Sequence, residues 1–370
     1  MYGDRLMLKL FRRVEEGTSP ELEIGRFLTE KVSFPNAPPV AGALEYHNRL
    51  IPEPVTLGIL HGYVPNEGDA WRYTLDELGF FFDRALAHPE VASPPFMKGS
   101  LFDIIEMSIP AAAEETIGSY LVSAQRLAQR TAELHLTMAS ASIDARFTPE
   151  PFSLAYQRSL FHSMRSYTNQ VLRLLQQRLT KLPDDARPNA KAILDEENTI
   201  IQRFQRITGQ SITGMRIRCH GDYHLGQVLY TGDDFVITDF EGEPARYLTE
   251  RRIKRSPLRD VAGMIRSFHY AAYAALRNRA SPVLRPEDLP ILEEWSKAWY
   301  LWVSVAFLKA YLELISDLPI LPATKEGKKV LFDAYLMEKA LYEVNYELNN
   351  RPNWVNLPLQ GVRQMLEAEE

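Results

Sequence analysis

The sequence predicts a two-lobed α+β protein, a small sheet lobe followed by a larger and mostly helical one. Three observations carry this. The chain has 370 residues, more than the ~250 at which a single core usually stops growing. Alternating apolar residues, the mark of half-buried strands, are confined to residues 1–65 and to one island at 215–240. Helical spacing fills most of the rest.

In chain order, residues 5–12 alternate, with Leu6, Leu8 and Leu10 on one face and Met7, Lys9 and Phe11 on the other, so Lys9 projects from a strand. Ser19 is a suitable N-cap with Pro20 at the first helical position, and Ile24, Phe27 and Leu28 form the apolar stripe of a helix reaching about Lys31. Segments 40–46 and 54–64 read as further strands, separated by a turn-rich stretch at 47–54. The breaker cluster at 65–69 marks the lobe boundary, giving lobes of residues 1–65 and 66–370. Helices are expected over 71–86, 115–138, 151–179, 195–207, 259–276, 289–314 and 325–348. The island alternates at Met215, Ile217 and Cys219, and Thr231-Gly232-Asp233-Asp234 is a hairpin turn folding 235–239 back along 227–230.

Composition narrows the function. Apolar residues at 45% and charged residues at 24% exclude disorder and fibre repeats. Forty-two basic against 48 acidic side chains leave a net charge of −6, with no global attraction to nucleic acid or anionic lipid. The single cysteine, Cys219, excludes an intrachain disulfide and a cysteine zinc site, and makes the cytoplasm the expected compartment. Charges at Asp4, Arg5 and Lys9 interrupt any leader pattern. The uncharged run 298–308 is shorter than the roughly 20 residues a membrane span needs and reads as a buried helix.

Chemistry concentrates in the island, His220-Gly221-Asp222-Tyr223-His224-Leu225-Gly226-Gln227. The hairpin sets Gln227 opposite Thr238 or Asp239, so an amide oxygen and a carboxylate can meet on one hard cation. Magnesium with substrate phosphates suits that donor count. Asp222 is then free to accept the proton of an attacking hydroxyl. Asp222, Gln227 five residues on and Asp239 on the next strand follow the order of the protein-kinase signature. Lys9 can contact nucleotide phosphates, held by Glu21 or Glu23, with Glu23 favoured because Glu21 in the first turn is explained by the helix dipole. Val64 and Asn66, in the hinge after the third strand, are candidates for the adenine.

Other readings stay open. His220-x-Asp222-x-His224 is also a possible metal-hydrolase cluster, or the island is structural, with His220 bonding backbone and Asp222 capping a turn. The basic run Arg251, Arg252, Lys254, Arg255 and Arg259 is a substrate-side loop or simply solvated. Asp260 either caps the next helix or braces the loop. Trp71, Tyr223 and Tyr247 can stack on a sugar or pack in the interior. His135 reads as a satisfied helix histidine.

The strings His220 to Gln227, Thr238-Asp-Phe-Glu-Gly-Glu-Pro244, Ser256-Pro-Leu-Arg-Asp-Val-Ala-Gly-Met264 and Val64-Pro-Asn-Glu-Gly-Asp-Ala-Trp71, with Lys9-Leu-Phe-Arg-Arg and Pro20-Glu-Leu-Glu23, make the chain resemble the maltokinases. These are sugar kinases of the bilobal, protein-kinase-like aminoglycoside-phosphotransferase fold, found alone or fused behind a trehalose synthase. The resemblance implies transfer of the ATP γ-phosphate to the anomeric hydroxyl of maltose. It implies Asp222 as base, Gln227 and Asp239 on Mg2+, and Lys9 with Glu23 on ATP. His220, His224, Glu241 and Tyr247 are the candidate sugar contacts. Glucosamine kinase and aminoglycoside phosphotransferase are the neighbouring activities. A non-catalytic module attached to trehalose synthase is the reading from another class. Only eight residues precede Lys9, so the chain is expected to be a fragment lacking the start of the small lobe.

Overall fold

The computed structural model describes residues 2–49, 52–87, 97, 99–140, 144–244, 246–279, 288–315 and 318–367. Residues 50 and 51 of the expected turn at 47–54 lie outside the described residues. Strands β1 (Leu6–Leu10), β2 (Val40–Tyr46) and β3 (Val55–Gly62) form an antiparallel sheet in the order β1-β3-β2. Lys9 pairs with Ile59 and Met7 with His61, which sets Lys9 and His61 on the same face. Over that face lies α1 (Pro20–Arg26), begun as its sequence dictates: the Ser19 hydroxyl accepts the Glu21 amide and Pro20 occupies the first turn. A wider π-helical turn, Phe27–Lys31, carries it on.

The remainder is mainly helical: α2 (Ala70–Ala87), α3 (Leu101–Ile104), α4 (Ala111–Ile117), α5 (Tyr120–Ala139), α6 (Leu154–Arg178), α7 (Arg187–Asp195), α8 (Glu197–Gln205), α9 (Leu248–Arg251), α10 (Leu258–Arg279), α11 (Leu289–Ile315), α12 (Lys325–Asn350) and α13 (Asn356–Glu367). The periodic stretch at 115–138 is divided between α4 and α5 at Gly118, whose φ of 68° closes the first helix. Helices α7 and α13, not among the expected ones, carry Pro188 and Pro358. Both lie in a first turn, where no intrahelical donor is lost.

The island divides. β5 (Met215–Arg216) pairs with β4 (Glu150–Pro151), while β6 (Val228–Tyr230) and β7 (Phe235–Ile237) form the hairpin. The uncharged run at 298–308 belongs to a 27-residue helix, α11, which by length and composition alone is apolar enough to cross a bilayer. Here it is the core helix: Trp295, Trp299 and Trp302 are each at most 2% exposed, packed among α5 and α10.

Candidate active site

Lys9 stands at the centre of the first cluster. Its Nζ lies 2.7 Å from Glu21 Oε2, 2.7 Å from Asp239 Oδ1 and 2.6 Å from Glu241 Oε1. Burial alone would lower the lysine pKa, but Glu21 and Asp239 outweigh it and hold the ammonium charged. The Glu241 pKa is raised by its burial, which the Lys9 ammonium offsets only in part. Glu21 is fixed in turn by His61 Nε2 at 3.2 Å.

The expected partner, Glu23, is therefore corrected to Glu21. Two residues along an α-helix rotate a side chain by about 200°. Glu21 thus faces the sheet, whereas Glu23 turns to Arg218 and makes a buried pair at 2.7 Å. Glu241, expected beside the sugar, is placed against Lys9 instead.

Asp239 follows β7 after one residue, Thr238, with a φ of 63°. That left-handed backbone is uncommon outside glycine and here turns the carboxylate out of the ladder toward Lys9. Gln227 faces Thr238, whose amide and hydroxyl donate to the Gln227 carbonyl at 2.9 and 3.1 Å. Glu21, Asp239 and Glu241 each offer an oxygen within 4.8 Å of the others. Hard oxygens converging on a cation already bound there, the Lys9 ammonium, fit a magnesium-nucleotide site. Asp239 would hold the ion and Lys9 the phosphates, whereas Gln227 meets this segment through its backbone carbonyl.

In the hinge, the Asn66 side chain donates to the Val64 carbonyl at 2.8 Å and accepts from the Gly68 amide at 3.1 Å. Backbone bonds Glu67 to Tyr230 and Tyr230 to Gly68 then dock the hinge on β6. Both candidate adenine residues are thus in one tight turn beside the hairpin.

The loop bearing Asp222 is braced from beneath. Buried Asp260, in the first turn of α10, accepts the amides of His220 at 2.7 Å and Gly221 at 3.0 Å. His135 Nε2, whose other nitrogen meets the Tyr311 hydroxyl, lies 3.2 Å from the same carboxylate. Burial would raise the Asp260 pKa, but His135 and the loop amide outweigh it and hold the carboxyl below its usual range. Bracing, of the two roles open to Asp260, is what the structure shows.

His220 is 1% exposed and its Nε2 donates to the Thr238 carbonyl, tying the loop to the Asp239 segment. That fixed structural bond replaces the expected sugar contact. His224 accepts the Gly226 amide, and its pKa is lowered by burial and further by Lys339 and His220. Tyr223 is interior, bonded to the Thr131 hydroxyl, and Trp71 packs against the core. Tyr247 caps α9 and is 68% exposed.

Sequence reasoning missed Lys339. This α12 residue reaches Asp222 Oδ1 at 3.1 Å across 117 positions, so no local pattern announces it. Burial would raise the Asp222 pKa, but Lys339 outweighs it and, aided by His224, holds the carboxyl below its usual range. The basic run is not a solvated loop. Arg251 pairs with Glu15 at 2.7 Å, Arg252 donates to the Thr18 carbonyl, Lys254 pairs with Glu150 at 2.9 Å, and Arg259 holds the Gly221 carbonyl and Glu243.

A sheet-bearing part, a larger helical part and a catalytic-type loop beside a hairpin define a kinase-like α+β fold. No family model matches the chain. A glucosamine kinase of Mycolicibacterium smegmatis is 29% identical over 154 residues, 40% of this chain and 34% of that protein. A glucosamine kinase of Streptacidiphilus jiangxiensis is 21% identical over 319 residues, 85% of this chain and 58% of that protein. The chain thus spans between a third and three-fifths of the curated relatives it matches. Among solved structures, a glucosamine kinase in complex with glucosamine, ADP and inorganic phosphate superposes with a TM-score of 0.71 at 19% identity, over 99% of this chain and 78% of that one. A second crystal form gives 0.69 at 19%, over 100% and 75%.

Proposed function

We propose that this chain carries the catalytic site of an ATP-dependent sugar kinase. The observation that carries the reading is the convergence of Lys9, Glu21 and Asp239, from β1, α1 and the end of β7, next to a loop whose Asp222 is held ionised. In the proposed reaction an acceptor hydroxyl oxygen bonds the γ-phosphorus as the β,γ-bridging P–O bond breaks. The hydroxyl proton passes to Asp222 and ADP departs. Magnesium, when bound, neutralises phosphate charge. The chain's own residues orient the phosphates through Lys9, fix that lysine through Glu21 and hold the base through the Asp260 brace.

Two acceptors have support. The motif strings quoted above support maltose, with maltose 1-phosphate as product, and the association with a trehalose synthase that accompanies that resemblance. The names of the relatives support glucosamine. ³¹P NMR of the chain with ATP, magnesium and each of maltose, glucose, glucosamine and kanamycin tests both. A new sugar-phosphate signal is expected with a sugar acceptor. Absence of any product, with no magnesium-dependent ATP binding by calorimetry, leaves the non-catalytic module as the better reading.

A further inference from the structure

Lys9 is surrounded by more negative charge than it can balance. An ammonium has three N–H donors, and three carboxylate oxygens stand 2.6–2.7 Å from its Nζ, those of Glu21, Asp239 and Glu241. Three negative charges against one positive leave these four side chains with an excess of two. Two of the carboxylates have a further task. Glu21 is 3% exposed and fixed by His61, so it stays on the lysine. Asp239, turned toward Lys9 by its left-handed backbone, would hold the ion. Glu241 is different. Among the described residues its carboxylate has no bonded cation other than Lys9, since Arg251 holds only its backbone carbonyl, and its side chain is 25% exposed.

We propose that Glu241 is a specificity residue for the nucleotide: it makes the site take ATP and ADP as their magnesium complexes and turn away the metal-free forms. The inference rests on the kinase reading and deepens it. A metal-free polyphosphate brings several negative charges to a cluster that is already negative, in a half-buried place where like charges repel more strongly than in water. With the phosphate charge neutralised by magnesium, Lys9 can exchange Glu241 for a phosphate oxygen without adding to the excess. Without the metal, the same exchange leaves the Glu241 carboxylate unpaired among anions. The competing possibility is that Glu241 joins Asp239 on the ion, since Glu21, Asp239 and Glu241 each offer an oxygen within 4.8 Å of the others.

The test is calorimetric titration with ADP, once in EDTA and once in magnesium, which reads binding without turnover. Wild type is expected to bind ADP at least about tenfold more weakly in EDTA than in magnesium. Glu241→Gln keeps the shape of the side chain and removes its charge. It should tighten binding in EDTA by about tenfold while leaving the magnesium complex within about threefold of wild type. Glu241→Ala serves if the glutamine variant fails to fold, judged by Tm. A loss of about tenfold or more in affinity for the magnesium complex in Glu241→Gln would overturn the inference and place Glu241 on the ion. So would a variant unaltered in EDTA, or a wild type that binds ADP equally well in both conditions. A wild type that binds no nucleotide in either condition sinks the kinase reading itself, a result distinct from these.

Discussion

Two glutamates two residues apart in sequence do opposite work. Glu21 serves Lys9, and its loss should act on nucleotide: Glu21→Gln is expected to raise KM for ATP several-fold with little change in Tm, measured by initial rates and calorimetry. Glu23 serves the fold. Glu23→Gln leaves Arg218 buried and unpaired at 3% exposure, a defect of about 3–5 kcal/mol, seen as a fall in Tm. At the chemical centre, Asp222→Asn should cut turnover by ~10²-fold or more with nucleotide affinity retained, while Asp239→Ala should abolish magnesium-linked ATP binding. Near-normal turnover in both variants would remove the site assignment. The residues of the loop were legible because their chemistry is packed into eight consecutive positions. Glu21 was not, because choosing between first-turn glutamates needs the rotation of a helix whose contacts lie 195 residues away.

The loop holds its shape through α10, and this is where element-level tests fall. The folded Asp260 carboxyl titrates below the unfolded value of about 3.9. Its stabilisation is therefore complete above that value and lost as pH falls through the folded pKa. Wild type should thus exceed Asp260→Asn in Tm at neutral pH, with the gap closing below about pH 4. A gap that stayed constant with pH would show that the brace acts by shape rather than charge. Gly263 tests the same contact from the other side. A Cβ there would come 2.7 Å from the Tyr223 carbonyl, so Gly263→Ala has to push the loop off α10. Turnover should drop together with Tm. The hairpin and the long helices were readable from period and turn chemistry, whereas the two-residue ladder β4–β5, pairing Glu150 with Arg216 and Pro151 with Met215, was not, since its strands are far apart in sequence and too short to show a period.

Across the whole molecule, the sheet that carries Lys9 is clasped to the helical part by a chain of arginines. Arg251 is the middle link: one nitrogen reaches Glu15, before α1, at 2.7 Å, and another donates to the Glu241 carbonyl at 3.2 Å. Arg252 reaches the Thr18 carbonyl, and Asn36 donates to the carbonyl of Phe235 on β7. The sequence showed these arginines only as a basic run, because the Glu15 carboxylate and the Thr18 carbonyl that they reach lie more than 230 positions upstream. Since they set the distance between Lys9 and the Asp239 segment, loosening them should alter nucleotide geometry before it alters chemistry. Arg251→Ala is expected to raise KM for ATP several-fold while kcat at saturating ATP stays within about twofold. A double-mutant cycle with Glu15→Ala should return a coupling of roughly 1 kcal/mol or less, given that the pair is partly exposed. Near 1 M salt, where the screening length is about 3 Å, that coupling should weaken, whereas the buried Arg218–Glu23 pair should keep its contribution to Tm. If Arg251→Ala instead lowered kcat and left KM untouched, the arginine would belong with the catalytic loop rather than with the clasp.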